Sequence, residues 1–284
     1  MPDASHILRR LNARRGELRR ARQDAALEPR IVAGAGPTLV LSPHLDDAVL
    51  DCWSVLCDEA PAAVANVFAG VPSDGAPAPL WDRITGAADP AARVRERLAE
   101  DQAALARAGR TPLSLPLLDA QYRGSGRPLE PADIDRELAD RLDGPVARVF
   151  APAAIGGHPD HLLVRRYARA LLRRGFAVTL YADLPYCLLH GWPGWVDGRE
   201  TGPFRDVDAF WRSFLADVPE LPPLRSARVA RLDDQRAAEK LAAMRSYRTQ
   251  LPALSYGARG LIEDPEIHRY EVFWELAPSG RAAG

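Results

Sequence analysis

Thr38-Leu39-Val40-Leu41 runs straight into Ser42-Pro43-His44-Leu45-Asp46-Asp47, and this junction constrains the chain more than any other stretch. A β-branched and aliphatic run that ends in a histidine and two carboxylates reads as a buried strand delivering polar groups to the edge of a sheet. Helical character follows at once over 48–58, so the polar cluster sits on a strand-to-helix turn. In open α/β sheets such turns lie at the C-terminal ends of the strands, where ligands bind. A second turn of this kind, Gly156-Gly157-His158-Pro159-Asp160-His161, comes more than a hundred residues later and follows the strand-like run 146–151.

The intervening chain alternates in the same way. Residues 62–69 read as a strand, and 70–90 as a long loop rich in Pro, Gly, Ala and Asp with Trp81 inside it. A helix over 91–108 ends at Gly109, strands are expected at 113–118 and 176–182, and helices over 131–142 and from the second histidine turn to Arg174. Strands alternating with helices predict an α/β fold with a mostly parallel sheet covered by helices on both faces. From about Asp183 the alternation stops. Residues 184–230, dense in Pro and aromatics, read as a lid-like elaboration, with the aromatics more as its core than as sugar-stacking platforms. A helix over 232–247 and a strand over 268–276 close the chain. The expected organisation is an N-terminal basic helix over 1–30, with Ile7, Leu8, Leu11 and Leu18 at helical spacing, followed by one domain over 31–284. That helix reads as packing its leucines on the domain, with an oligomer contact as the main competitor.

Composition removes several classes. With 47% hydrophobic and 26% charged residues the 284-residue chain has ample material for a core. A net charge of −1 gives no reason to expect nucleic acid as a partner. Arginine supplies nearly all the basic residues, Lys240 being the single lysine, as in a GC-rich coding bias. Cys52, Cys57 and Cys187 form no CxxC pair and no disulfide framework, which suits a reduced, cytoplasmic setting. No run approaches the length of a membrane span or a signal-peptide core, so membrane insertion is not expected.

Hydrolysis of an amide needs an activated water, a base for its proton and positive charge near the developing oxyanion. A divalent metal held by three side chains leaves a position open for water, and two histidines with one carboxylate suit zinc, while iron, cobalt or manganese also accept such ligands. The inventory fits: His44 and Asp47 from the first turn, one histidine from the second, and Asp46 with the other histidine left over.

These two turns resemble those of the PIG-L/LmbE family of zinc-dependent N-deacetylases, whose signatures are a Pro/Ala-His-x-Asp-Asp turn and a His-x-Asp-His turn. The resemblance implies a Rossmann-like fold with His44, Asp47 and His161 as zinc ligands. It implies Asp46 as the general base, and His158 as the group that stabilises the oxyanion or donates a proton. Weaker likenesses are the helix from Arg97 to Gly109, whose arginine points to substrate in the family, the pocket loop at 118–123, and the stretch Ser246-Tyr247-Arg248-Thr249-Gln250. They make Arg97, Asp119 and Tyr122 candidates for substrate binding. One departure stands out: Asp51-Cys52-Trp53-Ser54 occupies the place where relatives begin a glycine-rich helix, so packing there is expected to differ. The implied activity is removal of an N-acyl, by default N-acetyl, group from an amino sugar or glycosylated small molecule, with bacterial secondary metabolism as the setting. Alternatives are an amidase acting on a mycothiol-type conjugate and, among non-enzymes, a metal-stabilised sugar-binding protein.

Overall fold

A computed structural model describes residues 19–124, 127–199, 206–257 and 260–277. The strand expected at 38–41 is the inner end of β1 (Ala33–Ser42), whose Leu39, Val40 and Leu41 are wholly buried. That burial on both faces is what a central parallel strand demands. It pairs in parallel with β2 (Ala62–Asn66) on one side and β4 (Val146–Pro152) on the other. Beyond them lie β3 (Pro112–Ser114) and β5 (Val178–Tyr181), both parallel. The sheet is completed by β7 (Tyr270–Glu275), antiparallel to β5, and by β6 (Arg228–Arg231), antiparallel to β7. The seven strands run in the order β3-β2-β1-β4-β5-β7-β6, an α/β architecture with a mostly parallel sheet.

This order places the two histidine turns. The chain leaves β1 towards β2 and β3, then returns to lay β4 on the other flank of β1. The sheet therefore reverses its winding between β1 and β4, the position where open α/β sheets leave a crevice at the strand ends. His44 follows β1 and His158 follows β4, so the two turns face each other across that crevice.

Helices α1 (Asp47–Asp51) and α2 (Trp53–Leu56) stand where one helix over 48–58 was expected. The break falls at Cys52, and the carboxylate of Glu271 on β7 accepts the backbone N–H groups of Trp53 (2.7 Å) and Ser54 (2.9 Å), restarting the helix on a buried anion. The long loop 70–90 contains a short helix, α3 (Leu80–Ile84), which its proline and glycine content hid. Helix α4 (Pro90–Ala106) is capped by Asp89, whose side chain accepts from Ala92 N–H, and Gly109 follows it at φ 68°. Next come α5 (Pro131–Ala139) and α6 (Pro159–Arg173), the latter entered through Gly156 and Gly157 at φ 94° and 76°. A Cβ on Gly156 would also lie 2.8 Å from Cβ of Tyr186, so glycine is required by both conformation and space.

The elaboration after β5 contains α7 (Gly194–Asp197) and α8 (Val207–Leu215). Its tryptophans are core: Trp211 packs edge-on against Trp192, Trp195 and, from β7, Trp274 at 5.7–6.0 Å between ring centroids. The segment is tied to the sheet by β6, an edge strand that Arg228 and Arg231, both exposed, kept from reading as apolar. Helices α9 (Asp234–Met244) and α10 (Leu251–Gly257) precede β7. Near the N-terminus, residues 19–25 are helical, and Asp24 forms a bidentate pair with Arg166 at 2.8 Å. Ile7, Leu8, Leu11 and Leu18 lie outside the described residues. All three cysteines are free thiols, and among the described residues no helix is long and apolar enough to cross a membrane.

Candidate active site

Three donor atoms meet in the crevice. His44 Nδ1 lies 3.2 Å from His161 Nε2, and each is 3.5 Å from Asp47 Oδ2. Tautomers make this triangle informative. The other nitrogen of His161 faces the buried carboxylate of Asp183 at 2.9 Å, and the other nitrogen of His44 faces Asp160 at 3.3 Å. Each carboxylate takes the ring N–H, so two imidazole lone pairs and a carboxylate oxygen point at one another, an arrangement that calls for a cation. The spacing suits a tetrahedral metal: ligand atoms about 2.1 Å from a zinc ion stand roughly 3.4 Å apart. Burial disfavours charge on His44, yet the neighbouring carboxylates of Asp160 and Asp47 raise its pKa well above the usual histidine value, so this point favours a positive charge, whether a proton or a metal ion. The residues present fit a divalent metal.

Local backbone fixes these groups. Ser42 Oγ donates to the carbonyl of His44 (2.6 Å) and accepts from Ala48 N–H (3.0 Å), closing the turn onto the start of α1. Asp47 also accepts from His44 N–H at 2.7 Å. In the second turn His158, not Asp160, caps α6: its Nδ1 accepts from Asp160 N–H at 3.3 Å. Burial, with His44 and His161 as neighbours, pushes the His158 pKa down to about 3. The ring is thus neutral, and since Nδ1 is an acceptor its proton sits on Nε2. A ring nitrogen of His158 also falls within 4.8 Å of donors on His44 and His161, so all three histidines share the centre.

Asp46 sits beside the triangle at the floor of a cavity of about 670 Å³. Burial and the adjacent Asp47 carboxylate push its pKa upward, while His44, Arg97 and His161 draw it back. Arg97 and Asp119 line the same cavity. The guanidinium of Arg97 is 3.5 Å from the buried carboxylate of Asp82, and its Nε, buried, has no protein partner. Asp119 accepts from the backbone N–H and side-chain amide of Gln121 at 3.0 Å each. Tyr122 is placed differently: its hydroxyl donates to Asp82 at 3.0 Å, which sets it behind Arg97 rather than on the cavity wall.

Sequence reasoning missed three carboxylates around this centre. Asp183 holds His161, Asp160 holds His44 and is also paired with Arg123, and Asp82 anchors Arg97. The available signal for Asp183 was its position just past β5, the parallel strand beside β4.

No family model matches the chain. It is 33% identical over 165 residues to the 2'-N-acetylparomamine deacetylase of Streptomyces fradiae, a match covering 53% of this chain and 58% of that protein's length. The fold is similar to the zinc-inhibited form of teicoplanin deacetylase, with a TM-score of 0.65 and 25% identity over 87% of this chain and 100% of that one. It is also similar to the A40926 pseudoaglycone deacetylase, with a TM-score of 0.58 and 26% identity over 86% of this chain and 98% of that one. With both histidine turns in the same order and flanking the switch point of its sheet, the chain resembles the PIG-L/LmbE-type N-deacetylases in its site residues and is similar to these solved deacetylases in fold.

Proposed function

We propose that this protein is a divalent-metal hydrolase that removes an N-acetyl group from an amino sugar carried by a small molecule of secondary metabolism. The observation that carries this reading is the convergence of His44, Asp47 and His161 on one point, with Asp46 beside it at the floor of a substrate-sized cavity. The activities that name the relatives, deacetylation of 2'-N-acetylparomamine, of teicoplanin and of the A40926 pseudoaglycone, support the same reaction class.

A divalent ion, zinc by default, held by His44, Asp47 and His161 would supply Lewis acidity and lower the pKa of water in the site. The remaining steps belong to the chain. Asp46, the carboxylate left outside the ligand triangle, takes the proton as water oxygen attacks the acetyl carbonyl carbon. His158, neutral with its proton on Nε2, donates a hydrogen bond to the oxygen that becomes negative. The carbon–nitrogen bond then breaks, the amine nitrogen gains the proton Asp46 carried, and the amine leaves with acetic acid, which gives up its remaining water proton to solvent. Arg97, held by Asp82, and Asp119, fixed by Gln121, orient the sugar. Tyr122 acts through Asp82. The cavity walls exclude bulk water around the reacting carbonyl.

The test is release of primary amine from a panel of N-acetylated amino sugars and glycosides, with the metal set at one equivalent because one similar deacetylase is described in a zinc-inhibited form. Amine should appear, stop on chelation and return with zinc, cobalt or manganese. Metal-loaded protein that releases no amine from any member of the panel overturns the reading. A second expectation concerns Asp183. Its two oxygens face His161 Nδ1 and Ile155 N–H, both donors, so Asp183→Asn must turn an amide N–H towards one of them. Metal affinity should fall about 10–100-fold, measured by competition with a chromophoric chelator; unchanged affinity would mean that Asp183 does not orient the ligand.

A further inference from the structure

The cavity changes character from floor to mouth. Its carboxylates, Asp46, Asp47 and Asp119, all belong to the floor loops, and Arg97, its one lining cation, is engaged with Asp82. The mouth is built from Trp81 on α3, Leu189 after β5, and Ala253 and Leu254 on α10. Trp81 is 38% exposed and Leu189 40%, and Tyr256, 69% exposed, meets the Trp81 ring edge-on at 6.3 Å. Three of the seven large hydrophobic side chains exposed among the described residues thus gather at one rim, continuous with the reacting centre. Solvent-facing aromatic and aliphatic side chains grouped in this way mark a binding surface.

We propose that this rim is a subsite for an apolar, planar group attached to the N-acetylated amino sugar, so that the preferred substrate is a glycoside with an aromatic aglycone. The inference rests on the deacetylase reading above and adds the chemistry of the substrate's far end. A flat aromatic group can cover the faces of Trp81 and Leu189 that now meet water. A polycationic aminocyclitol would lose hydration against a rim whose lining residues carry no carboxylate. The rim therefore separates this chain's substrate from one resembling N-acetylparomamine, although the sequence match is to a protein named for that compound.

The experiment compares phenyl and methyl glycosides of N-acetylglucosamine in amine release, and the corresponding phenyl and methyl glycosides of glucosamine in calorimetric binding to the metal-loaded protein. The phenyl compound should be favoured about tenfold in KM and in Kd, the scale of burying one aromatic face. Trp81→Ala should bring both ratios towards one. Leu189→Asp is the second variant, which places a charge on the rim without touching α3 and should do the same. Equal KM and Kd for the two glycosides in the wild-type protein overturn the subsite, as does a preference that survives both variants. If neither acetylated glycoside yields amine while the phenyl preference persists in binding, the rim stands and the deacetylase reading falls. Amine release without aglycone preference means the reverse.

Discussion

Asp46→Asn should lower kcat by about 10³-fold while the protein keeps its full complement of metal. Asparagine has nearly the same shape as aspartate, so the turn between β1 and α1 is preserved, but its amide cannot accept a proton. The proposed metal ligands are untouched: His44, Asp47 and His161 are held in place through Asp160, Ser42 and Asp183, none of which depends on Asp46. Removing the charge of Asp46 also relieves its repulsion with Asp47, the interaction that, with burial, raises its pKa. A bound cation relieves that same repulsion, so metal affinity should fall modestly while the three untouched ligands keep the site filled at saturating metal. The measurement is paired: elemental analysis of the purified variant and initial rates of amine release at saturating substrate. A variant with normal metal and near wild-type turnover would remove Asp46 from the base role, leaving His158 to be tested there. Loss of rate together with loss of metal would instead make Asp46 a ligand.

The cluster of His44, Asp47 and His161 was legible because its members are packed into short turns. His44, Asp46 and Asp47 fall in a span of four residues after one buried strand, and His158 and His161 in a span of four residues after another, so local sequence already shows strand end, polar cluster and helix start. What orients them was not legible for the opposite reason. Asp183 follows β5 alone, with no second polar residue to form a pattern, and only the pairing of β5 with β4 brings it to His161. Asp82 lies in a segment whose prolines and glycines conceal α3, and its role depends on Arg97 arriving from α4. The β6 strand, four residues with exposed arginines at both ends, lacks alternation long enough to signal a strand. Its existence is decided by β7, which offers a free edge. Periodicity reports contacts along an element; these features are contacts between elements.

The departure at Asp51-Cys52-Trp53-Ser54 leads to the second large effect. Trp53 is wholly buried, and the helix restarts beneath it on the Glu271 carboxylate, which also accepts from Nζ of Lys240 at 2.9 Å. Both side chains of this pair are fully buried, and Lys240 is the only lysine in the chain. Lys240→Met keeps the length of the side chain and removes its charge, leaving Glu271 a buried anion compensated only by two backbone N–H groups. Unfolding in urea should show a loss of about 3–5 kcal/mol, the cost of breaking rather than replacing a buried pair. Adding Glu271→Gln removes the stranded charge while keeping an oxygen for one of the two N–H donors, so the double variant should recover part of the loss. A double-mutant cycle measures that coupling directly. The same carboxylate fixes α2 immediately behind α1, which begins with Asp47, so the stability loss should be accompanied by weaker metal binding. If Lys240→Met unfolds at the wild-type midpoint, the pair contributes nothing net and the helix restart is held by Trp53 packing alone.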